Sequence, residues 1–195
     1  MAGLSQARKA ESSYFTNPVV RILARTPVSP GALTWLGFVL AIAAAVLITT
    51  EQLLVAGFVV LVAGFLDMLD GALARRTNRV SRFGAVLDST LDRLSEGVLL
   101  LGILVLFAGK GEVTWVLLTG IALIASLLVS YIRARAEALG LECAVGLFTR
   151  PERIIVLVLG LLLNQLEIAL AIIAALSLFT AGQRLVYVLR QAKNK

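Results

Sequence analysis

The chain has 195 residues, of which 59% are hydrophobic and 15% charged, and its mean hydropathy is +0.93. This composition excludes an ordinary soluble domain and indicates an integral membrane protein, with room for about six spans of about 20 residues and short loops. Histidine is absent, which excludes histidine-based triads and histidine-ligated zinc. The net charge of +6 comes from basic residues between apolar runs, and this placement favours contacts with anionic lipid or phosphate and not with nucleic acid.

The N-terminal segment, residues 1–28, mixes apolar and basic side chains. Between residues 14 and 25 this mixture predicts a short helix that lies in the headgroup layer. The first membrane span follows it. Ser29 is a suitable N-cap for this span, Pro30 suits the first helical position, and no charge occurs from residue 26 to residue 50.

Charges accumulate in the next two predicted spans. The second span, residues 52–75, carries Asp67 and Asp70, and the third, residues 82–107, carries four charged side chains between residues 88 and 96. A helix that faces lipid does not tolerate such a load, so we expect these two helices to line a polar site. The charges of the third span are Asp88, Asp92, Arg93 and Glu96.

The second half of the chain predicts three more spans. The fourth runs over residues 113–132 without a charge and continues as a helical pattern into the following loop. The fifth begins at Thr149, which forms a capping-box spacing with Glu152, and ends near residue 165. At about 25 Å it is shorter than the hydrocarbon core of about 30 Å. The sixth, residues 168–189, contains a single charge, Arg184.

These spans predict one all-α integral membrane domain over residues 1–195. Six transmembrane helices form a bundle over residues 29–190, preceded by the interfacial segment. Nearly all basic residues outside the spans fall at one end of the predicted bundle. The positive-inside rule therefore places both termini and the loops 75–82 and 133–153 in the cytoplasm, in a multi-pass protein of the cell membrane.

The acidic residues of the second and third spans follow helical spacings. Four positions of the second span occur at i, i+3, i+4 and i+7, and three positions of the third at i, i+4 and i+8, so each set shares one helix face. Because the connecting loop is short, we expect antiparallel neighbouring helices whose carboxylates converge near the cytoplasmic surface. The two sets are Asp67, Asp70, Gly71 and Ala74, and Gly84, Asp88 and Asp92.

Four carboxylates in a site of low dielectric repel one another unless cations intervene. Oxygen ligands without histidine or cysteine favour hard ions, so we expect Mg²⁺ or Mn²⁺. Gly71, Ala74 and Gly84 leave room for a ligand to approach the backbone between the two acidic faces. The alternative is that the aspartates form structural ion pairs with Arg75 and Arg93.

With Arg75 included, this pattern resembles the signature of the CDP-alcohol phosphotransferase family at each of its eight fixed positions. In that family a nucleotide-activated lipid, typically CDP-diacylglycerol, gives its phosphatidyl or comparable group to an alcohol, and CMP leaves. The resemblance implies CDP-diacylglycerol or CDP-archaeol as the donor, membrane lipids as surroundings and a homodimer. Which of the two lipids is used stays open.

The resemblance also implies the roles of individual residues. Asp67, Asp70 and Asp88, completed by Asp92, hold two Mg²⁺ ions, for which Mn²⁺ can substitute. Asp92 is in addition the implied catalytic base. The residues implied to bind the CDP-lipid are Asp67, Asp70, Gly71, Ala74, Arg75 and Gly84.

A second polar cluster lies at the end of the fourth span, at the start of the fifth and inside the sixth. Arginine at membrane depth needs an anion, and a guanidinium matches a phosphomonoester, so the cluster predicts an acceptor that carries its own phosphate. The stretches around it resemble the corresponding region of phosphatidylinositol-phosphate and archaetidylinositol-phosphate synthases, in which the acceptor is inositol phosphate. Arg135 and Arg150 are interpreted as solvated loop charges. The predicted phosphate ligands are Ser130, Arg133, Arg153 and Arg184.

Two alternatives remain at this point. Glycerol-3-phosphate also carries the phosphate that the arginines require, which would make the protein a phosphatidylglycerol-phosphate synthase. A membrane cation carrier is an alternative of another class, but its ion path would need polar residues in the outer half of several spans, whereas the acids here lie toward one end of two. Glu96 reaches deepest, and a bond between helices or a pair with Arg93 is its simplest interpretation.

Overall fold

The computed structural model describes residues 19–193, and this part of the chain contains helices and no strand. The all-α prediction is therefore confirmed. A short helical stretch covers residues 19–23, and six further helices follow it. They are α1 (Pro30–Thr49), α2 (Leu53–Arg76), α3 (Arg82–Gly109), α4 (Val113–Ala138), α5 (Arg150–Leu162) and α6 (Leu166–Lys193).

Four of these helices, α1, α2, α4 and α6, are long and apolar enough to cross a membrane. The protein is therefore a membrane protein, as its composition predicts. Helix α5 has 13 residues, which is too short to qualify on the same grounds, and α3 is interrupted by its charges. The count of six spans stays a prediction.

The helix starts lie where the capping signals predict them. Ser29 caps α1, its side chain accepting a hydrogen bond from the Ala32 N–H at 3.2 Å, with Pro30 in the first turn. At the start of α5 the Glu152 carboxylate accepts from the Thr149 N–H at 2.9 Å, which is the predicted capping box. These bonds satisfy backbone donors that the first turn of a helix leaves free.

The six helices close into a ring. In order around it, each helix packs against the next as α1, α2, α5, α6, α4, α3 and back to α1. The prediction that α2 and α3 are packed neighbours is wrong, because among the described helices they make at most marginal direct contact and each packs against α1 instead. The two acidic helices thus face each other across a gap on one side of α1.

Small residues explain why α1 can pack closely against both α2 and α3. Ala41, Ala44 and Ala45 are buried in α1, and a Cβ placed on Gly102 of α3 would lie 2.8 Å from the Ala45 carbonyl oxygen. The absence of a side chain at Gly102 therefore permits the close approach of α1 and α3. Below this crossing, apolar side chains from the six helices form one continuous core.

The predicted interfacial helix over residues 14–25 begins outside the described residues. Of its described part, Val20 is 2% exposed and packs with Leu33 of α1 and with Leu69 and Leu73 of α2. This second apolar cluster lies beside the acidic end of α2. The segment before α1 is therefore packed against the bundle over the residues that the structure describes.

Candidate active site

The acidic faces of α2 and α3 converge. Asp67, Asp70 and Asp88 each offer a carboxylate oxygen, and these three oxygens lie within 4.8 Å of one another. Asp70 is 5% exposed, whereas Asp67 and Asp88 are half-buried. Three carboxylates at this separation repel one another strongly unless positive charge compensates them. Their all-oxygen donor set fits a hard divalent cation such as Mg²⁺ or Mn²⁺.

Thr34 of α1 belongs to the site as well. Its hydroxyl donates a hydrogen bond of 2.7 Å to Oδ2 of Asp70, and both side chains are buried. The bond fixes the orientation of the carboxylate toward its two acidic neighbours. Sequence reasoning missed this residue, although a hydroxyl in the first turn of an otherwise apolar span is a signal that could have pointed to it.

Arg150 supplies positive charge to the aspartates. Its Nη1 lies 2.7 Å from Oδ2 of Asp67 and 2.9 Å from Oδ1 of Asp92, and its side chain is 23% exposed. The interpretation of Arg150 as a solvated loop charge is therefore wrong. The reason is that α5 packs against α2, which carries the first residue of α5 over the acidic end of the gap. Through Arg150, Asp92 is linked to the three-carboxylate cluster.

The small residues of the motif border the same site. Gly71, Ala74 and Gly84 are half-buried, and Arg75 is exposed at the end of α2. A Cβ on Gly71 would lie 3.4 Å from Nη1 of Arg75, so the arginine side chain extends back along this helix face. These four are the members of the predicted CDP-lipid set other than Asp67 and Asp70, and they lie beside the acidic cluster on α2 and α3.

A cavity of about 550 Å³ leads away from the aspartates between α1, α2, α3 and α5. Its polar wall consists of Thr34, Asp67, Asp92, Ser95 and Arg150 at one end, and the remaining wall is apolar. Gly37 of α1 and Gly64 of α2 widen it. A cavity with a charged end and a long apolar wall suits an amphipathic ligand.

The second predicted cluster includes Arg184, which joins several elements of the fold. Arg184 is 4% exposed, and its guanidinium donates to the carbonyl oxygens of Val145 at 2.9 Å and Val129 at 2.7 Å. These bonds join α6 to α4 and to the loop before α5. Arg133 and Arg153 lie near enough to Arg184 to interact with its charge.

The outer members of this cluster are more accessible. Ser130 is half-buried on α4, and Arg133 is exposed and forms an ion pair of 2.8 Å with Glu137 one turn later on the same helix. Arg135 is exposed, in agreement with its interpretation as a solvated charge. The cluster therefore has a buried part on α5 and α6 and an exposed part on α4.

Glu96 pairs with Arg153. Nε of Arg153 donates to Oε1 of Glu96 at 2.5 Å, and Nη2 donates to Oε2 at 2.8 Å. The interpretation of Glu96 as one side of a bond between helices is correct, but the partner is Arg153 of α5. Arg93 instead donates to the Ser89 carbonyl oxygen within α3.

Residues 28–182 match the sequence model of the family described as CDP-alcohol phosphatidyltransferase. The chain is 41% identical over 187 residues to the archaetidylinositol phosphate synthase of Methanothermobacter thermautotrophicus, a match that covers 90% of this chain and 93% of the relative. It is 38% identical to the phosphatidylinositol phosphate synthase of Mycobacteroides abscessus, with 87% of this chain and 81% of the relative covered.

Two solved structures of the phosphatidylinositol phosphate synthase of Mycobacterium tuberculosis are similar to this chain, each at 37% sequence identity. The structure with CDP-DAG bound has a TM-score of 0.82 and covers 89% of this chain and 92% of its own. The structure in complex with manganese and citrate has a TM-score of 0.84, with 89% and 88% covered. The likeness thus covers most of the chain.

Proposed function

The chain belongs to the CDP-alcohol phosphatidyltransferase family, and on that premise we propose that it transfers a phosphatidyl or archaetidyl group from a CDP-activated lipid to inositol phosphate. Phosphatidylinositol phosphate, or its archaeol equivalent, and CMP are the products. The observation that carries the acceptor assignment is the cluster of Arg133, Arg153 and Arg184 beside the acidic site. Relatives named for inositol phosphate products, at 41% and 38% identity, support it.

Asp67, Asp70, Asp88 and Asp92 would hold two Mg²⁺ ions, or Mn²⁺ in their place. Three of these carboxylates lie within 4.8 Å of one another, and Asp70 is oriented by Thr34. When bound, the ions neutralise the pyrophosphate and stabilise the departing CMP. Asp67 and Asp70 thereby also bind the donor lipid.

The donor lipid would lie along the cavity between α1, α2, α3 and α5. Its apolar wall suits the hydrocarbon chains, and its charged end places the pyrophosphate at the aspartates. Gly71, Ala74 and Gly84 leave space for the cytidine and its ribose, and Arg75 reaches the phosphates from the exposed end of α2. The donor thus enters from the bilayer and the water-soluble acceptor from the cytoplasm.

Asp92 would act as the general base. It removes the proton from the acceptor hydroxyl as that oxygen forms a bond to the phosphorus of the phosphatidyl group, and the bond from this phosphorus to the oxygen of CMP breaks. Asp92 is held by Arg150 at 2.9 Å, which limits its motion at the edge of the acidic cluster. Direct in-line displacement requires no covalent intermediate with the protein.

Ser130, Arg133, Arg153 and Arg184 would bind the phosphate of the acceptor. Arg153 and Arg184 are 1% and 4% exposed, and a guanidinium buried this deeply in a membrane protein favours an anionic ligand. Arg133 and Ser130 lie at the accessible side, where the acceptor arrives from water. The cluster therefore selects a phosphorylated alcohol over its neutral form.

An acceptor assay tests this assignment. Purified protein with CDP-diacylglycerol or CDP-archaeol is given labelled inositol phosphate, glycerol-3-phosphate or free inositol, and the lipid product is measured. We expect turnover with inositol phosphate and a kcat/KM for free inositol that is lower by about tenfold or more, because the charge-assisted hydrogen bonds to phosphate are lost.

Each acceptor result has a distinct meaning. Equal use of free inositol would contradict the phosphate-binding cluster. Turnover of glycerol-3-phosphate in place of inositol phosphate would retain the cluster but make the protein a phosphatidylglycerol-phosphate synthase.

We further propose that all six helices span the membrane in a single domain over residues 1–195, with a transmembrane bundle over residues 29–190, and that the protein forms a homodimer. Of the charges that separate α3 from an ordinary span, Asp92 lines the cavity and Glu96 pairs with Arg153 of α5. The first turn of the short helix α5, with Arg150 and Arg153, belongs to the polar site. The positive-inside rule applied to the basic loops supports a cytoplasmic location for both termini and for the loops beside the site.

Cysteine labelling tests this topology. A cysteine introduced as Arg79→Cys, in the loop between α2 and α3, should not react with a membrane-impermeant maleimide in intact cells and should react after permeabilisation. Lys110→Cys, in the turn after α3, is the matched control and should react in intact cells. Labelling of the Arg79→Cys variant from outside would show that the orientation is wrong.

A further inference from the structure

We propose that Glu96 is a positioning residue that holds Arg153 in the orientation needed to bind the acceptor phosphate, an inference that rests on the proposed function. Glu96 lies outside the family motif and contacts none of the aspartates in the cluster by any bond that the described residues show. Its carboxylate is instead committed to the guanidinium of Arg153.

The ion pair engages one side of the guanidinium. Nε and Nη2 of Arg153 donate to the two carboxylate oxygens at 2.5 Å and 2.8 Å, and the side chains are 1% and 7% exposed. The third nitrogen, Nη1, is also buried and has no hydrogen-bond partner among the described residues. A buried guanidinium N–H ordinarily has an acceptor, and a phosphate oxygen is a suitable one.

Glu96 therefore leaves the phosphate-binding edge of Arg153 free while it fixes the remainder of the group. With two hydrogen bonds to a planar carboxylate, the plane of the guanidinium cannot rotate without breaking at least one of them. The direction in which Nη1 points is thereby determined by Glu96. Arg153 without this partner would keep its charge but lose its orientation.

The position of Glu96 also relates the acceptor site to the acidic site. Glu96 lies one turn beyond Asp92 on α3, and Arg153 lies one turn beyond Arg150 on α5. The pairs Asp92–Arg150 and Glu96–Arg153 are thus two successive ion pairs across the same gap between α3 and α5. Such an arrangement sets the distance between the acceptor phosphate and the base that removes the acceptor proton.

Charge balance supports the same role. The positive charges of Arg133 and Arg153 act on Arg184, and two carboxylates compensate them, Glu137 beside Arg133 and Glu96 beside Arg153. Glu96 neutralises the charge of Arg153 in a buried position where water screens charge poorly. Arg153 can therefore lie near Arg133 and Arg184 with less repulsion. A competing role is that Glu96 occupies the place of the phosphate. This role is disfavoured because Glu96 accepts from Nε and Nη2 of Arg153 and leaves Nη1 without a partner among the described residues.

The test is Glu96→Gln, which keeps the shape of the side chain and removes its charge. We expect the acceptor KM to rise by about tenfold, in the range of a lost charge-assisted hydrogen bond, while the KM for the CDP-lipid changes by less than about twofold. The melting temperature is measured in parallel. If the Gln variant does not fold, Glu96→Asp, which keeps the charge but is too short for both bonds, is expected to raise the acceptor KM by a few fold.

Two comparisons identify the cause of such a change. Glu51→Gln, in a glutamate that pairs with Lys110 at 3.3 Å at the opposite end of the bundle, is the matched control and should leave both KM values unchanged. In an Arg153→Ala background, Glu96→Gln should raise the acceptor KM no further, because Glu96 acts through Arg153. A purely structural role would lower the melting temperature without this dependence.

The outcomes distinguish this inference from the function on which it rests. If Arg153→Ala raises the acceptor KM and neither Glu96 variant does, the positioning role is wrong and the proposed acceptor site stands. A fall in acceptor KM in Glu96→Gln would also overturn the inference, since it would mean that Glu96 competes with the phosphate. If Arg153→Ala itself leaves the acceptor KM unchanged, the proposed acceptor site is wrong and the inference falls with it.

Discussion

The variant Asp88→Asn is expected to lose transferase activity by at least about a hundredfold, because it removes one anionic ligand from the proposed metal site, which would supply several kcal/mol of transition-state stabilisation. The carboxylate of Asp88 is one of three within 4.8 Å of one another, so an amide in its place lowers the negative charge that holds the ions. Asn is nearly isosteric with Asp. The fold and the melting temperature should therefore be retained.

Activity alone does not identify the cause, so Mn²⁺ binding is measured as well, by electron paramagnetic resonance of the purified protein. Asp67→Asn and Asp70→Asn should resemble Asp88→Asn in both measurements, whereas Asp92→Asn should reduce turnover more than donor binding. Glu142→Gln, an exposed carboxylate in the loop before α5, provides the same change in charge and should have no effect. Undiminished turnover of Asp88→Asn, or full activity in excess EDTA, would refute the proposed metal site.

The variant Arg184→Ala is expected to lower kcat/KM for the phosphorylated acceptor by about tenfold to a hundredfold, in line with about 1.5–3 kcal/mol for a hydrogen bond to a charged group. The KM for the CDP-lipid should change much less. Arg184 also holds Val145 and Val129 through their carbonyl oxygens, so the alanine variant should melt at a lower temperature. Steady-state kinetics with each substrate varied in turn separates the effect on the acceptor from the effect on the CDP-lipid. The melting temperature is measured separately.

Arg135→Ala is the matched control for Arg184→Ala, because Arg135 is exposed at the end of α4 and should affect neither substrate. Arg150 cannot serve this purpose. Its ion pairs with Asp67 and Asp92 mean that its removal disturbs the acidic site as well. An acceptor kcat/KM of Arg184→Ala equal to that of Arg135→Ala would exclude Arg184 from the acceptor site.

Local signals in the sequence were sufficient for the helix boundaries. Ser29 with Pro30, and Thr149 with Glu152, satisfy backbone donors within the same turn, so their effect requires no other part of the fold. The acidic faces of α2 and α3 are predictable for the same reason, since a spacing of three or four residues fixes which side chains share a face. Their convergence also depends on α1, against which both helices pack.

The pairings between distant elements could not be predicted in this way. Thr34 and Asp70 are 36 residues apart, Glu96 and Arg153 are 57 apart, and Asp67 and Arg150 are 83 apart. Each contact exists because the helices close into a ring in which α1 lies beside α2 and α3, and α5 lies beside α2. The order of the helices around that ring cannot be predicted from the periodicity of any single segment.

The sequence by itself determined that this is a helical membrane protein, where its helices begin, and which four aspartates lie on two polar faces, because burial in lipid and helical periodicity act on neighbouring residues. Only the tertiary structure decided how the arginines are used. In the sequence, Arg150 and Arg153 both fall at the start of the fifth span, where a basic stretch ends. In the fold, Arg150 lies against the aspartates and Arg153 against Glu96, because the packing of α5 against α2 brings these long side chains across the gap to α3.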